Sequence, residues 1–442
     1  MQKYADYIPA QAAWLDELPS HWQCTKIGAL FSERKSKVSD KDYAPLSVAR
    51  IGVVPQLATA VKTDAGDNRK LVCAGDFVIN SRSDRKGSCG VAKLDGSVSL
   101  INIVLTPRNG LSERYVHYLL RSQPFSEEYY RNGRGIVADL WTTRYSEMKS
   151  ILLPVPPREE QDQIVRFLDW KVSSINRLIG VKQKQIAALK EFMQAEIEKQ
   201  LYAYPVEETV RLKQLGTFFK GGGFSRENLV EEEGYPAILY GDIYTQYEYK
   251  TAVINHSIDG AAYSASRKIS KGDIVMAGTG ETKDEIGKSI LYTGDEIVAL
   301  GGDVIVFHPN EGINVEYLLY QLYSQAALKH RYINGKGDII VHIYPTALGN
   351  TIITLPGEAD QNKVVAIINE IIDQVKKAIA VLTDEISVLR EYRVRLVADT
   401  VTGKIDVRGI EIPEYEFVDE DTDADNEDDG EEDTEEQEGA EE

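Results

Sequence analysis

The chain has 442 residues, 43% of them hydrophobic and 27% charged, a length for roughly two to three globular domains of ~150 residues. Its formal charge of −20 comes from one end: Glu411 to Glu442 carry 19 acidic residues and no Lys or Arg, leaving 51 acidic and 50 basic residues in the body, which is therefore near neutral. No run reaches the ~18 apolar residues of a membrane-spanning helix, no secretory leader is visible, and Cys24, Cys73 and Cys89 stand at no metal-ligand spacing, so free thiols and a cytoplasmic location are expected.

Short β-like runs at 44–51, 76–80, 98–105 and 151–155 alternate with Gly-rich turns and one helix over 113–130. Pro154-Val155-Pro156-Pro157 then leads into a long helix over 158–201, where proline is tolerated because the first turn has no amide partner. After a second irregular stretch, Leu355-Pro356 leads into a second long helix over 359–400. Its apolar residues Ile368, Ile372, Val375, Ile379, Leu382, Ile386 and Leu389 are spaced as heptads. The first helix has the same seam at Leu168, Val172, Ile175, Ile179, Lys182, Ile186 and Leu189, with one lysine in it. The two helices are expected to pack on each other, the alternative being that each packs on its own globular unit. The acidic stretch 419–442 has too few apolar residues to offset chain entropy and is expected to be disordered, as a solubilising appendage or a competitor for DNA.

The sequence also repeats. Gly75-Asp76-Phe77-Val78-Ile79 recurs as Gly272-Asp273-Ile274-Val275-Met276, and Tyr115-Val116-His117-Tyr118-Leu119-Leu120 as Tyr317-Leu318-Leu319-Tyr320-Gln321-Leu322. Tyr130-Arg131-Asn132-Gly133-Arg134-Gly135 recurs as Tyr332-Ile333-Asn334-Gly335-Lys336-Gly337, and Pro156…Gln161 as Pro356…Gln361. Four matches in one order, about 200 residues apart, describe two copies of one unit with loop insertions.

Catalytic motifs are not found. Gly287-Lys288-Ser289 ends like a phosphate loop, but Thr282 stands where its first glycine belongs. Gly278-Thr279-Gly280 and Gly221-Gly222-Gly223 read as turns. Asp273 with Glu281 and Lys283 only loosely resembles a nuclease set, and the six histidines have no i, i+4 pairing for metal. No activity is expected of the chain alone.

The plan resembles the specificity (S) subunits of type I restriction-modification systems. The residues that carry the resemblance are Leu18-Pro19-Ser20-His21-Trp22, the run from Tyr43 to Arg50, and Gly75-Asp76-Phe77-Val78-Ile79-Asn80-Ser81-Arg82-Ser83. Leu153-Pro154-Val155-Pro156-Pro157-Arg158-Glu159-Glu160-Gln161 is similar to the family's entry into its first spacer helix, and the run from Thr402 to Arg408 to the family's ending. Departures are the lost second proline and Asp360 in Leu355-Pro356-Gly357-Glu358-Ala359-Asp360-Gln361, and the tail after Arg408.

The resemblance implies a mixed α/β (α+β) fold. It has a target recognition domain at 1–155, a spacer helix at 156–204, a second recognition domain at 205–355, a second spacer helix at 356–408, and the acidic tail at 409–442. The two helices would form an antiparallel coiled coil. Each recognition domain would read one half of an asymmetric, bipartite double-stranded DNA target. Methyltransferase (M) subunits, expected to number two, would pack on the helices, and motor-nuclease (R) subunits would join them. S-adenosylmethionine, ATP and Mg would sit on those partners and no cofactor on this chain.

Charge and aromatic content on loops nominate the DNA-contacting residues. In the first unit these are Arg50, Ser81, Arg82, Ser83, Arg85, Lys86, Arg131 and Arg134. In the second they are Lys220, Phe224, Arg226, Tyr240, Tyr244, Thr279, Thr282, Lys283 and Lys336. A solvated surface charge is the bland reading of each alone. Two alternatives stay open: a specificity subunit of a methylation-based defence system without the motor nuclease, and a coiled-coil protein scaffold.

Overall fold

The computed structural model describes residues 2–57, 66–108, 111–135, 141–231 and 233–419. They form two compact units, one from residues up to Lys184 and from Leu382 onward, the other from Gln185–Val381. The two long helices, Arg158–Leu201 and Glu358–Val401, each contribute one part to each unit. Both begin and end within a residue of where the heptads and prolines place them.

In the first unit a four-stranded antiparallel sheet runs in the order Cys89–Val91, Phe77–Asn80, Asn102–Pro107, Phe31–Glu33. Phe77, Val78, Ile79, Val104 and Leu105 are buried, a near-continuous apolar run as expected of a covered central strand. A separate pair, Gln23–Lys26 with Leu152–Val155, leads into the first long helix. The single helix expected over 113–130 is two helices, Glu113–Arg121 and Gln123–Arg131. Ser122 between them is extended, and Pro124 stands in the first turn of the second, where it cannot continue the preceding hydrogen-bond ladder. The strand expected over 98–105 is likewise two, Gly96–Val98 and Asn102–Pro107, separated by a turn closed by Asn102 N–H to the Ser99 carbonyl at 3.1 Å.

In the second unit a five-stranded sheet runs Gly216–Lys220, Val304–Pro309, Ile274–Ala277, Ser289–Tyr292, Lys250–Thr251, with only the last pairing parallel. Glu208–Arg211 pairs with Ile352–Leu355 before the second long helix. The helices Val315–Leu322 and Gln325–Asn334 again break at an extended serine, Ser324.

Of the heptad residues, Leu168, Ile175, Ile179, Ile368, Ile372, Val375 and Ile386 are buried and the rest half-buried. In the first unit Lys182, the lysine in the seam, meets Glu385 at 2.6 Å, and Arg393 Nη1 donates to Asn176 Oδ1 at 2.7 Å, so the helix segments there run in opposite directions. In the second unit Met193, Ile197 and Leu201 share one buried cluster with Val364, Ile368, Ile372 and Val375. Each such side chain contributes about 1.5–3 kcal/mol by leaving water.

The expected tail falls in two parts. Residues 420–442 lie outside those described. Residues 411–419 hold no helix or strand but are tied to the first unit: Asn176 Nδ2 donates to the Val418 carbonyl at 3.1 Å, and the Arg114 guanidinium lies 5.5 Å from the centre of the Phe417 ring.

Candidate nucleic-acid interface

The first-unit site grows out of the C-terminal end of Phe77–Asn80. Asn80 Oδ1 accepts from the Arg82 N–H at 3.0 Å, turning the chain into the Ser81–Ser88 loop. The Ser81 carbonyl accepts from the Thr143 N–H at 2.9 Å, and the Ser83 N–H donates to the Trp141 carbonyl at 2.8 Å. Arg134 and Thr142 exchange both backbone hydrogen bonds, at 3.1 and 3.0 Å. The Tyr130 hydroxyl donates to the Arg85 carbonyl at 3.1 Å. Two loops nominated independently, 81–88 and 131–135, are thereby stitched side by side.

Their cations are held by nearby carboxylates. Arg82 meets Asp84 at 3.0 Å, Lys86 meets Glu127 at 2.7 Å, and Arg131 donates twice to Glu128, at 2.7 and 2.9 Å. The exposed Lys86–Glu127 pair contributes about 0–1 kcal/mol, so a phosphate can replace its carboxylate at little cost, whereas Glu128 is buried and holds Arg131 in place. Arg50 stands in the turn between Leu46–Ala49 and Gly52–Pro55, its carbonyl accepting from Arg121 Nη2. Beside it, His117 accepts from the Val91 N–H and contacts Arg121 at 3.1 Å. Burial, with Arg121, Arg114 and Lys93 adding to it, lowers its pKa to about 3, so it is neutral.

The second unit builds the same junction from different residues. Thr279–Gly280 pairs with Val341–His342, the Ile343 N–H donates to the Gly278 carbonyl at 2.9 Å, and Lys336 and His342 exchange backbone bonds at 2.9 and 2.8 Å. Thr279 Oγ1 and His342 Nδ1 lie 2.9 Å apart, which spends the buried Thr279 hydroxyl within the protein. Lys336 and Thr282 are exposed and Lys283 half-buried. Lys220 ends its strand 5.6 Å over the Tyr344 ring. Arg226 opens a short turn beside Gly241, and Tyr240 is exposed. Phe224 belongs to the core: it is buried with Ala237, Leu239, Ile258, Ala262 and Ala299, and offers no face for a base. Tyr244 is half-buried, its hydroxyl has no hydrogen-bond partner among the described residues, and burial raises its pKa.

Residues that the sequence did not nominate complete the second site. His342 stands where the first unit has Thr142, a match found only by extending the repeat past its last conserved turn. Arg331 is buried beneath the junction with Nε and Nη1 unpartnered among the described residues, and burial lowers its pKa. Lys288 donates to the Tyr244 carbonyl at 3.1 Å, and its pKa too is lowered by burial. No group of three His, Cys, Asp or Glu side chains among the described residues is arranged to hold a metal, and no helix there is long and apolar enough to cross a membrane.

Residues 206–386 match the family model described as the type I restriction modification DNA specificity domain. No curated protein matches the chain in sequence. Among solved structures, one described as "Structural basis underlying complex assembly and conformational transition of the type I R-M system" is 15% identical, over 88% of this chain and 99% of that one, with a TM-score of 0.63. It shares the fold. The HsdS subunit from Thermoanaerobacter tengcongensis aligns over 88% of this chain and 98% of that one at 16% identity and a TM-score of 0.44. The type I restriction-modification S subunit from M. genitalium aligns over 86% and 96% at 17% identity and a TM-score of 0.33.

Proposed function

We propose that this chain, which carries a type I restriction modification DNA specificity domain, is the sequence-reading subunit of such a system and binds an asymmetric double-stranded target in two parts. The observation that supports two parts is the repeated junction: in each unit a strand-end loop is stitched to a turn after the second short helix, at Ser81–Thr143 and at Gly278–Ile343. Because one junction carries Arg82, Arg85 and Arg134 and the other Thr279, Lys283 and Lys336, the two half-sites differ in sequence. Cations and hydroxyls on such loops grip phosphates and base edges.

On this reading the two units are copies of one recognition domain, and the long helices form an antiparallel coiled coil whose length fixes the gap between half-sites. Methyltransferase subunits holding S-adenosylmethionine dock on the helices, with ATP- and Mg-dependent motor-nuclease subunits beyond them. The chemistry belongs to those partners; this chain binds, orients and spaces. The test is a modified-base map of DNA from cells that carry this chain with its methyltransferase. The expected result is one asymmetric motif of two defined parts around an undefined gap. A continuous or palindromic motif, or methylation by the purified chain alone, would overturn the reading.

A further inference from the structure

Five large apolar side chains are left in water within one short stretch of the second unit. Tyr332 and Ile333 lie at the end of Gln325–Asn334, Ile339 and Ile340 in the turn beyond it, and Tyr344 just after. Ile339 is 88% exposed and Ile340 57%. Single exposed apolar residues are ordinary on protein surfaces, whereas a contiguous patch marks a contact.

The stem of this turn is fixed. Lys336 and His342 pair across it, Val341 pairs with Gly280, and Gly337 adopts φ +113°, where a β-carbon would collide with the Ile340 carbonyl. The tip therefore presents two β-branched side chains, stiff at χ1, on a held backbone. Exposed cations flank it, Lys336 at the stem and Lys220 over Tyr344, with Asp338 the one acidic residue in the turn. A purely phosphate-binding turn has no use for isoleucines, and a purely apolar partner none for the lysines. A DNA duplex offers both partners, phosphates outside and apolar base faces within.

We propose that Ile339 and Ile340 form a wedge that enters the base stack of the half-site bound by the second unit, with Lys336 and Lys220 on the flanking phosphates. The proposal rests on the reading of the chain as a DNA-recognition subunit. Ile, Leu, Phe and Met side chains unstack base steps in this way in architectural DNA-binding proteins. Pyrimidine–purine steps open most readily, so the wedge selects such a step without a hydrogen bond to it.

The test uses the full chain with its methyltransferase partner and target duplexes carrying 2-aminopurine at one position at a time. The fluorescence should rise several-fold at one step of one half-site. The double variant Ile339→Ser, Ile340→Ser should still bind the target, about tenfold more weakly, without that rise. Lys336→Ala should weaken binding but keep it. Specific binding by the native complex with no rise in either half-site would overturn the wedge, as would a double variant that keeps the rise. A double variant that loses its methyltransferase while duplexes remain unstacked would overturn it too and assign the patch to protein. Failure of the native complex to bind any target specifically would instead remove the DNA-recognition reading, and the wedge with it.

Discussion

The Tyr115 hydroxyl donates to the carbonyl of Val401 at 3.3 Å, 286 residues further along the chain and at the last residue of the second long helix. Its single proton is shared with the Pro154 carbonyl, 3.1 Å away in the strand that leads into the first long helix. Tyr317 repeats the arrangement in the second unit, its one hydroxyl proton shared between the carbonyls of Leu201 at 3.4 Å and Thr354 at 3.1 Å. Each tyrosine ties the end of one long helix to the entry of the other. The last carbonyls of a helix have no partner within it, so these hydroxyls satisfy groups that would otherwise be stranded in the core.

Tyr115→Phe and Tyr317→Phe should therefore each cost about 1–2 kcal/mol, the net loss of a buried hydrogen bond. Denaturant unfolding of the full chain checks this. Variants as stable as the native chain would show that the carbonyls find other partners.

Such ties explain which motifs were legible. The Trp22 and Glu160 runs belong to one hub: Glu160, buried, accepts from Tyr4 at 2.6 Å and Trp22 at 3.0 Å and meets His21 at 2.8 Å. Gln161 and Gln361 each donate to the carbonyl of a proline five residues earlier, at 3.0 and 2.8 Å, which is why both long helices start where the sequence places them. Gly75 and Gly272 sit at φ +91° and +95°, and Asp76 and Asp273 accept from the N–H groups of Cys73 and Ser270, so the repeated Gly-Asp marks a turn. Local spacing carried these features. The pairing of Thr142 with Arg134, the burial of Phe224 and the exposure of Ile339 depend on contacts between segments far apart in sequence or on loop geometry, and no residue pattern announced them.

His117 makes stability depend on pH. Its pKa is about 3 in the fold against about 6.5 when unfolded, so the unfolded chain binds a proton that the fold does not. The stabilising contribution is whole above pH 6.5 and is lost as pH falls toward 3, at up to about 1.4 kcal/mol per unit. Comparing His117→Asn with the native chain across that window isolates the effect. Parallel stability–pH curves would contradict it.

Arg331 should be dispensable to folding. A buried guanidinium whose Nε and Nη1 have no partner among the described residues pays desolvation with little return. Arg331→Met should leave stability unchanged or raise it by about 1–3 kcal/mol, since apolar replacements of buried charges often do so. A clear fall in melting temperature would point to an interaction that the fold depends on.

The two junctions should act on different half-sites. Arg82→Ala or Arg85→Ala should cost about 1–3 kcal/mol of binding and relax recognition in one half only, if a base is read. Lys283→Ala should affect the other half. Binding to duplexes randomised in one half at a time separates the two; both changes acting on the same half would refute the assignment.

The central claim is that two distinct recognition units read two half-sites whose gap the helices set. Seven residues inserted after Ile179 and seven after Val388 keep both heptad seams and retain the pairings of Lys182 with Glu385 and of Asn176 with Arg393 on either side of the insertion. Each helix gains ~10.5 Å at 1.5 Å per residue, at most about 3 bp of duplex at 3.4 Å per step. A modified-base map of cells carrying this variant with its methyltransferase should show the same two half-sites around a gap wider by one to about three base pairs. An active complex whose gap is unchanged would contradict the claim.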